Sequence, residues 1–264
     1  VHPEIEGAHL MHFWERIWLR MSGRKSFTIR FGGVANIRTI TVDPTTDPED
    51  IRHRLRLPSV TRVIQMHVGA DNSTAEILER LWPTFRDQLA PLAEKHQIAV
   101  IDGATTGGFV GMMGRARSAI KGTFPLIGVA PVENVLYPGG PTGENRYPLD
   151  EHHSHFVLVK GSGGFGIESE TILKLGKLLS PRRVALLING GQIVRREARM
   201  NAYGGTPLLV MEGSGRLADE LALALKRGTS DDMLRETISV GMIRTCTEQT
   251  LVTELIDLMG LNAE

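Results

Sequence analysis

Pro207-Leu208-Leu209-Val210-Met211-Glu212-Gly213-Ser214-Gly215-Arg216-Leu217-Ala218-Asp219-Glu220-Leu221-Ala222 reads as a strand, a glycine turn and a helix in direct succession. The apolar run has the length of a buried strand. Gly213 and Gly215 permit a tight turn, and the helix opens at once behind it. Such a junction aims backbone N–H groups and a positive helix end at one point, here with Arg216 beside it. Glu212, Gly213, Ser214, Gly215 and Arg216 are therefore candidates to hold a phosphate.

The same grammar recurs on both sides of this stretch. Residues 98–101, 126–130, 155–159 and 184–188 are short continuous apolar runs. Helical patterns over 109–120, 169–179 and 192 to about 200 alternate with them. This alternation predicts a Rossmann-like, doubly wound α/β fold with a mainly parallel sheet covered on both faces. Upstream, 26–31 and 63–69 read as strands, and 39–42 as a short strand or extended loop. A helix over 74–96 is capped at Asn72-Ser73 and kinked at Pro83 or Pro91. Residues 6–21 place Leu10, Trp14, Ile17, Trp18 and Met21 on one helical stripe, either packed on the domain or offered to a second subunit or partner. The tail, 229–260, reads as a helical appendage, with Thr245 and Glu248 spaced as a capping box before Leu251. We expect one domain over 1–264, with a leading helix at 1–25, a core at 26–228 and a tail at 229–264.

Composition narrows the function. Lys plus Arg and Asp plus Glu number 30 each, so no overall field draws nucleic acid or an anionic membrane. The lone Cys246 forms no intrachain disulfide, which favours a reducing, cytoplasmic setting. No run approaches the roughly 20 apolar residues of a membrane span, and no signal peptide is evident. The first residue is Val1, so flanking segments stay an open matter.

Ligands of open parallel sheets bind at the carboxyl ends of strands. Each glycine cluster is expected at such an end: Gly32 and Gly33, Gly103 with Gly107 and Gly108, Gly163 with Gly164 and Gly166, Gly190 with Gly191, and Gly213 with Gly215. A tight turn needs one glycine; the surplus lets a ligand approach the backbone. Thr105, Thr106 and Gly107 stand at a helix start, and Gly111 and Gly114 inside that helix imply close packing on the sheet or on a ligand. His152, His153 and His155 beside Asp150 lack the spacing of a known metal motif, so a structural role is expected; His153 and His155, two apart, would face one side of a strand.

Gly163-Gly164-Phe165-Gly166-Ile167-Glu168-Ser169-Glu170 resembles the GGxGTxxE signature of the SLOG superfamily, with Ile167 in place of Thr. That superfamily includes phosphoribohydrolases, and the resemblance makes Glu170 the catalytic candidate if the chain is an enzyme. Glu168 and Glu170 also suit a helix first turn without any catalysis. Read together, the elements are similar to the cytosolic amino-terminal region of melastatin-type TRP channels, and more closely to the prokaryotic SLOG-in-TRPM group. They are Phe31-Gly32-Gly33-Val34-Ala35-Asn36, the stretch 102–114, Ile127-Gly128-Val129-Ala130-Pro131, His153-Ser154-His155-Phe156, Gly190-Gly191 and Gly213-Ser214-Gly215-Arg216. They come in the same order over most of the chain.

The resemblance implies a sensor of a nucleotide-derived ligand, an adenine derivative of the ADP-ribose class. It requires no obligatory cofactor and no metal. It assigns Gly107 and Gly108 to the turn near the ligand, Gly190 and Gly191 to close approach, and Arg216 to a phosphate. Gly32, Gly33, Asn36, Phe165 and Asn189 complete the candidate site; Asn189 replaces an acidic residue of the family pattern. The alternatives are a hydrolase of an N-glycosidic bond and an assembly domain that binds nothing. Oligomer or effector contacts through the leading helix are the expected protein partners.

Overall fold

A computed structural model of the chain describes residues 26–32, 35–69 and 74–261. The helix read over 6–21, with Trp14 and Trp18, lies outside the described residues, as do Gly33 and the expected caps Asn72 and Ser73. Within the described residues nine strands form one sheet in the order β1-β2-β8-β5-β4-β3-β9-β10-β11. These are β1 Phe27–Phe31, β2 Ala35–Val42, β3 Val63–Val68, β4 Ala99–Asp102, β5 Leu126–Pro131, β8 His155–Val159, β9 Arg183–Ile188, β10 Leu208–Met211 and β11 Ile243–Cys246. A two-stranded pair, β6 Val135–Leu136 and β7 Tyr147–Pro148, lies in the Pro- and Gly-rich connection. Only β1 runs antiparallel to its neighbour. The Rossmann-like α/β reading holds.

Alternation along the strands divides the core into two layers. Ile64, Met66, Val184 and Leu186 pack against α2 (Ala75–Thr84), α3 (Ala90–Lys95), α4 (Gly108–Ala119) and α9 (Leu251–Leu258). Val63, Ala99, Ile127 and Val157 face the other way, onto α1 (Pro48–Leu55) and α5 (Ser169–Leu179). Ala185, Leu187 and Val210 do the same against α6 (Gln192–Tyr203), α7 (Arg216–Arg227) and α8 (Asp232–Val240). Strands that carry apolar residues on both faces need helices on both faces, which is why their sequences read as unbroken apolar runs.

Two local readings change. Thr74 itself caps α2, accepting from the Ile77 amide. Between Pro83 and Pro91 the chain widens into a π-helical turn, Phe85–Leu89, which absorbs the distortion two prolines impose. In the tail, Thr245 belongs to β11, paired with Val210 of β10, and is no helix cap. Glu248 instead meets Arg80 at 3.3 Å. The tail thus supplies an edge strand as well as α8 and α9.

Candidate functional site

The order in which the parallel strands are added reverses between β3 and β9. After β3 the chain turns to the α2 face; after β9 it turns to the α6 face, and the two strands lie side by side. This topological switch point splays the following loops and leaves a crevice above the carboxyl ends. A crevice of about 360 Å³ lies there. Its walls come from β3 and the residue after it (Met66, Val68, Gly69), the β4 end (Gly103, Thr105), the turn before α5 (Phe165, Glu168), the start of α6 (Gly191 to Val194, and Glu197) and Arg216.

Arg216 is the charged anchor on the α7 side. Its backbone is left-handed, φ 51°, an uncommon state for a residue with a side chain. Its guanidinium lies across Gly191, where a Cβ would fall 2.6 Å from an Nη atom. Gly191 is the N-cap of α6 and provides no side-chain cap. The first N–H groups of α6 have no intrahelical acceptor, so Gln192 and Ile193 present donors to the crevice beside Arg216.

The expected Gly213-Ser214-Gly215 cradle is built differently. Gly213 and Gly215 donate their N–H groups to the Asp219 carboxylate, at 2.6 and 3.1 Å. An internal anion fills the nest that the sequence offers to phosphate. The Leu217 and Ala218 amides donate to the carbonyls of Gly190 and Asn189. Ser214 is buried, its hydroxyl accepting from the Asn189 amide and donating to the Met211 carbonyl. Asn189, also buried, donates its side-chain amide to the Ser214 carbonyl and accepts from the Gly190 amide. These two residues clamp the β9 and β10 ends together, and Glu212 pairs with Lys226. Of this element, Arg216 alone lines the crevice.

Other expected residues are spread more widely. Thr105 and Phe165 line the crevice, Phe165 set edge-on to Tyr147 at 5.4 Å between ring centres. Gly163, Gly164 and Gly166 form the turn that carries Phe165; Gly166 has φ 105° and Gly163 abuts Ile167. Gly107 and Gly108 open α4, whereas Thr106 faces a separate hollow with Phe31 and Arg115. Gly111 and Gly114 pack against the chain itself: added Cβ atoms would meet the Thr106 carbonyl at 2.2 Å and Asp150 Oδ2 at 1.7 Å. Gly32 and Asn36 belong to the β1–β2 hairpin. Because β1 is antiparallel, that hairpin falls at the amino edge of the parallel strands, across the sheet from the crevice. Glu170 also stays apart, paired with Lys174 at 2.8 Å outside the crevice.

The carboxylates that do reach the crevice are Glu168 and Glu197. Burial raises Glu168 to about 7, against the pull of the 2.7 Å hydrogen bond from the Gly166 amide; the nearby Glu197 adds to the rise. Burial also opposes charge on Glu197, but His67, Ser169 and Arg196 outweigh it and hold Glu197 below the usual range. His67 Nδ1 lies 2.9 Å from Glu197 Oε2, Ser169 donates to Oε1 at 2.6 Å, and Asn201 donates to His67 Nε2. A buried chain of polar groups thus supports the floor. Motif matching passes over Glu197, His67 and Asn201 because they come from two elements; the one signal is a pair of polar residues, Gln65 and His67, inside an apolar strand.

The histidine cluster is a brace. His153 places Nε2 2.8 Å from Asp102 and Nδ1 3.1 Å from Asp150. Burial alone would lower its pKa, but the two carboxylates raise it to about 10. His153 precedes β8 and stacks on Phe156 at 5.3 Å, so it does not share a strand face with His155. Burial first, then Arg38 and Arg117, lower His155 to about 4.

Sheet order, paired layers and a crevice at the switch point define a Rossmann-like α/β protein with its crevice at the strand ends. The chain belongs to the family described as SLOG in TRPM, prokaryote, whose model matches residues 61–253. Transient receptor potential cation channel subfamily M member 2 of Mus musculus is 27% identical over 233 residues, which cover 72% of this chain and 15% of that protein. Its Rattus norvegicus counterpart is 27% identical over 241 residues, covering 75% and 16%. The chain therefore spans about a sixth of the length of these curated relatives. Among the described residues no helix is long and apolar enough to cross a membrane.

Proposed function

We propose that the switch-point crevice binds a nucleotide-derived ligand of the ADP-ribose class and that the domain acts as its sensor. The observation that carries this reading is Arg216, held in a left-handed backbone with its guanidinium over the bare Gly191 and the uncapped start of α6. A guanidinium beside free helix N–H groups is the chemistry that grips a phosphate in two directions. Around it, Phe165 and Tyr147 offer an aromatic edge for a base, and the Glu197 carboxylate accepts from ribose hydroxyls. The volume of about 360 Å³ falls in the range of small-molecule pockets. The sensing role comes from the likeness to relatives that are cation channels by name.

A hydrolytic reading draws support from Glu168, a buried acid poised near 7 beside the charged Glu197. Carboxylates pushed apart in this way suit proton transfer to a leaving group. One experiment separates the readings. A thermal-shift screen with NAD, ADP-ribose, cyclic ADP-ribose, AMP and cyclic dinucleotides is run alongside detection of released base or ribose phosphate. The sensor reading expects a raised Tm with ligand recovered intact. Product release at catalytic turnover contradicts it, and no shift with any compound removes the nucleotide proposal.

A further inference from the structure

The groove between α5 and α6 concentrates positive charge in a chain whose totals balance. Its volume is about 560 Å³, and Lys174, Lys177, Arg183, Arg196 and Arg199 line it against the single carboxylate Glu170. Glu170 answers Lys174 at 2.8 Å, and Glu236 of α8 answers Arg199 at 2.9 Å. Lys177 forms no ion pair among the described residues. Among the described residues Arg183 donates only to neutral groups, Thr206 Oγ1 at 2.9 Å and the Gly204 carbonyl at 3.2 Å. Partial burial then depresses its pKa. Lys174 and Lys177 are one turn apart on α5, and Arg196 and Arg199 one turn apart on α6, so two cationic rows flank a cleft. The apolar floor is Leu173 and Met200, with Tyr203 exposed at its end and Arg199 stacked on the Tyr203 ring at 5.4 Å.

We propose that this groove docks an acidic segment of a partner protein, with carboxylates set to the two cationic rows and an apolar side chain on the Leu173–Met200 floor. The cations of the two rows stand on helix flanks beyond the first turn, where the N–H groups of Lys174, Lys177, Arg196 and Arg199 are spent within the helices, so no converging row of backbone donors accompanies them. Separated cations around an apolar floor fit carboxylates on a peptide better than one compact anion. Residues 1–25 carry Arg16, Arg20, Arg24 and Lys25 against Glu4, Glu6 and Glu15, so they do not supply the acidic segment. Arg196 also donates to the Gly166 carbonyl, in the turn that carries Phe165. A docked partner would therefore grip the same two helices that wall the crevice, although the docking inference stands without any assumption about what the crevice binds.

The test is fluorescence anisotropy of the full chain with a fluorescein-labelled peptide of repeated Glu-Glu-Leu at low salt. Binding is expected, weakening as salt screens the charges. The Lys174→Glu, Lys177→Glu double variant should lose at least about tenfold in affinity with an unchanged melting curve, while Arg216→Ala binds the peptide as before. No anisotropy change at roughly millimolar protein, or equal binding by the double variant, overturns the proposal. Inorganic tripolyphosphate that binds more tightly than the peptide, and is lost in the same variant, assigns the groove to a small polyanion and overturns it as well.

Discussion

Glu168 concentrates the chemistry of the crevice in one side chain. An ordinary glutamate titrates near 4.5, and this one near 7, because burial penalises its charged form. The folded protein then holds more protons than the unfolded chain between those values. Stability contributed by this residue is greatest at low pH and falls as pH rises through 7. Glu168→Gln removes the titration. Urea denaturation at pH 5 and pH 8 should show the variant gaining on the wild type by roughly 1–3 kcal/mol over that interval. A difference that stays flat with pH contradicts the raised value. The same charge repels a phosphate, so affinity for an anionic ligand should fall above pH 7 in the wild type and not in the variant. Sequence alone points to Glu170, through its place in a motif. Glu168 opens α5 facing the crevice, and Glu170, two residues on, turns to the outer groove; a helix separates such neighbours by about 200°.

At the scale of elements, α4 shows packing overriding propensity. Gly111 and Gly114 each cost about 1 kcal/mol in helix stability relative to alanine. Gly114→Ala ought to stabilise an isolated helix by that amount. In the protein the new Cβ would fall 1.7 Å from Asp150 Oδ2, and Asp150 is held by His153. The substitution should therefore destabilise the fold by more than about 2 kcal/mol, as the brace of Asp102, His153 and Asp150 is forced apart. Urea unfolding checks this, and a stability gain would show that the helix does not rest on Asp150. Spacing of the two glycines already signals a close approach. What approaches Gly111 is the nearby Thr106 carbonyl, but what approaches Gly114 is Asp150, in the loop before β8, a long-range fact that local pattern does not contain. The Gly213-Ser214-Gly215 turn teaches the same lesson in reverse. Its shape as an anion nest is legible, but the anion is Asp219, four residues beyond Gly215 and in plain view as a helix first-turn acid.

Over the whole molecule, the parallel core was legible because buried strands and covering helices impose different periods on the chain. The edges were not. Ile243 to Cys246 is a strand through its pairing with β10, in a stretch whose polar residues conceal it. The β1–β2 hairpin sends Gly32 to the amino edge because one antiparallel strand reverses the end at which a turn emerges. The crevice itself follows from strand order, which fixes where connections part, and order is a property of the assembled sheet. That is why Thr105, Phe165, Gly191 and Arg216 come together while Asn36 and Glu170 do not.

Calorimetric titration of ADP-ribose into the wild-type chain and Arg216→Ala is the most direct test that this switch point is a phosphate-bearing ligand site. The account predicts one site per chain, with affinity reduced more than about tenfold by Arg216→Ala while the melting temperature of the free protein is kept. Equal isotherms for the two proteins would contradict it.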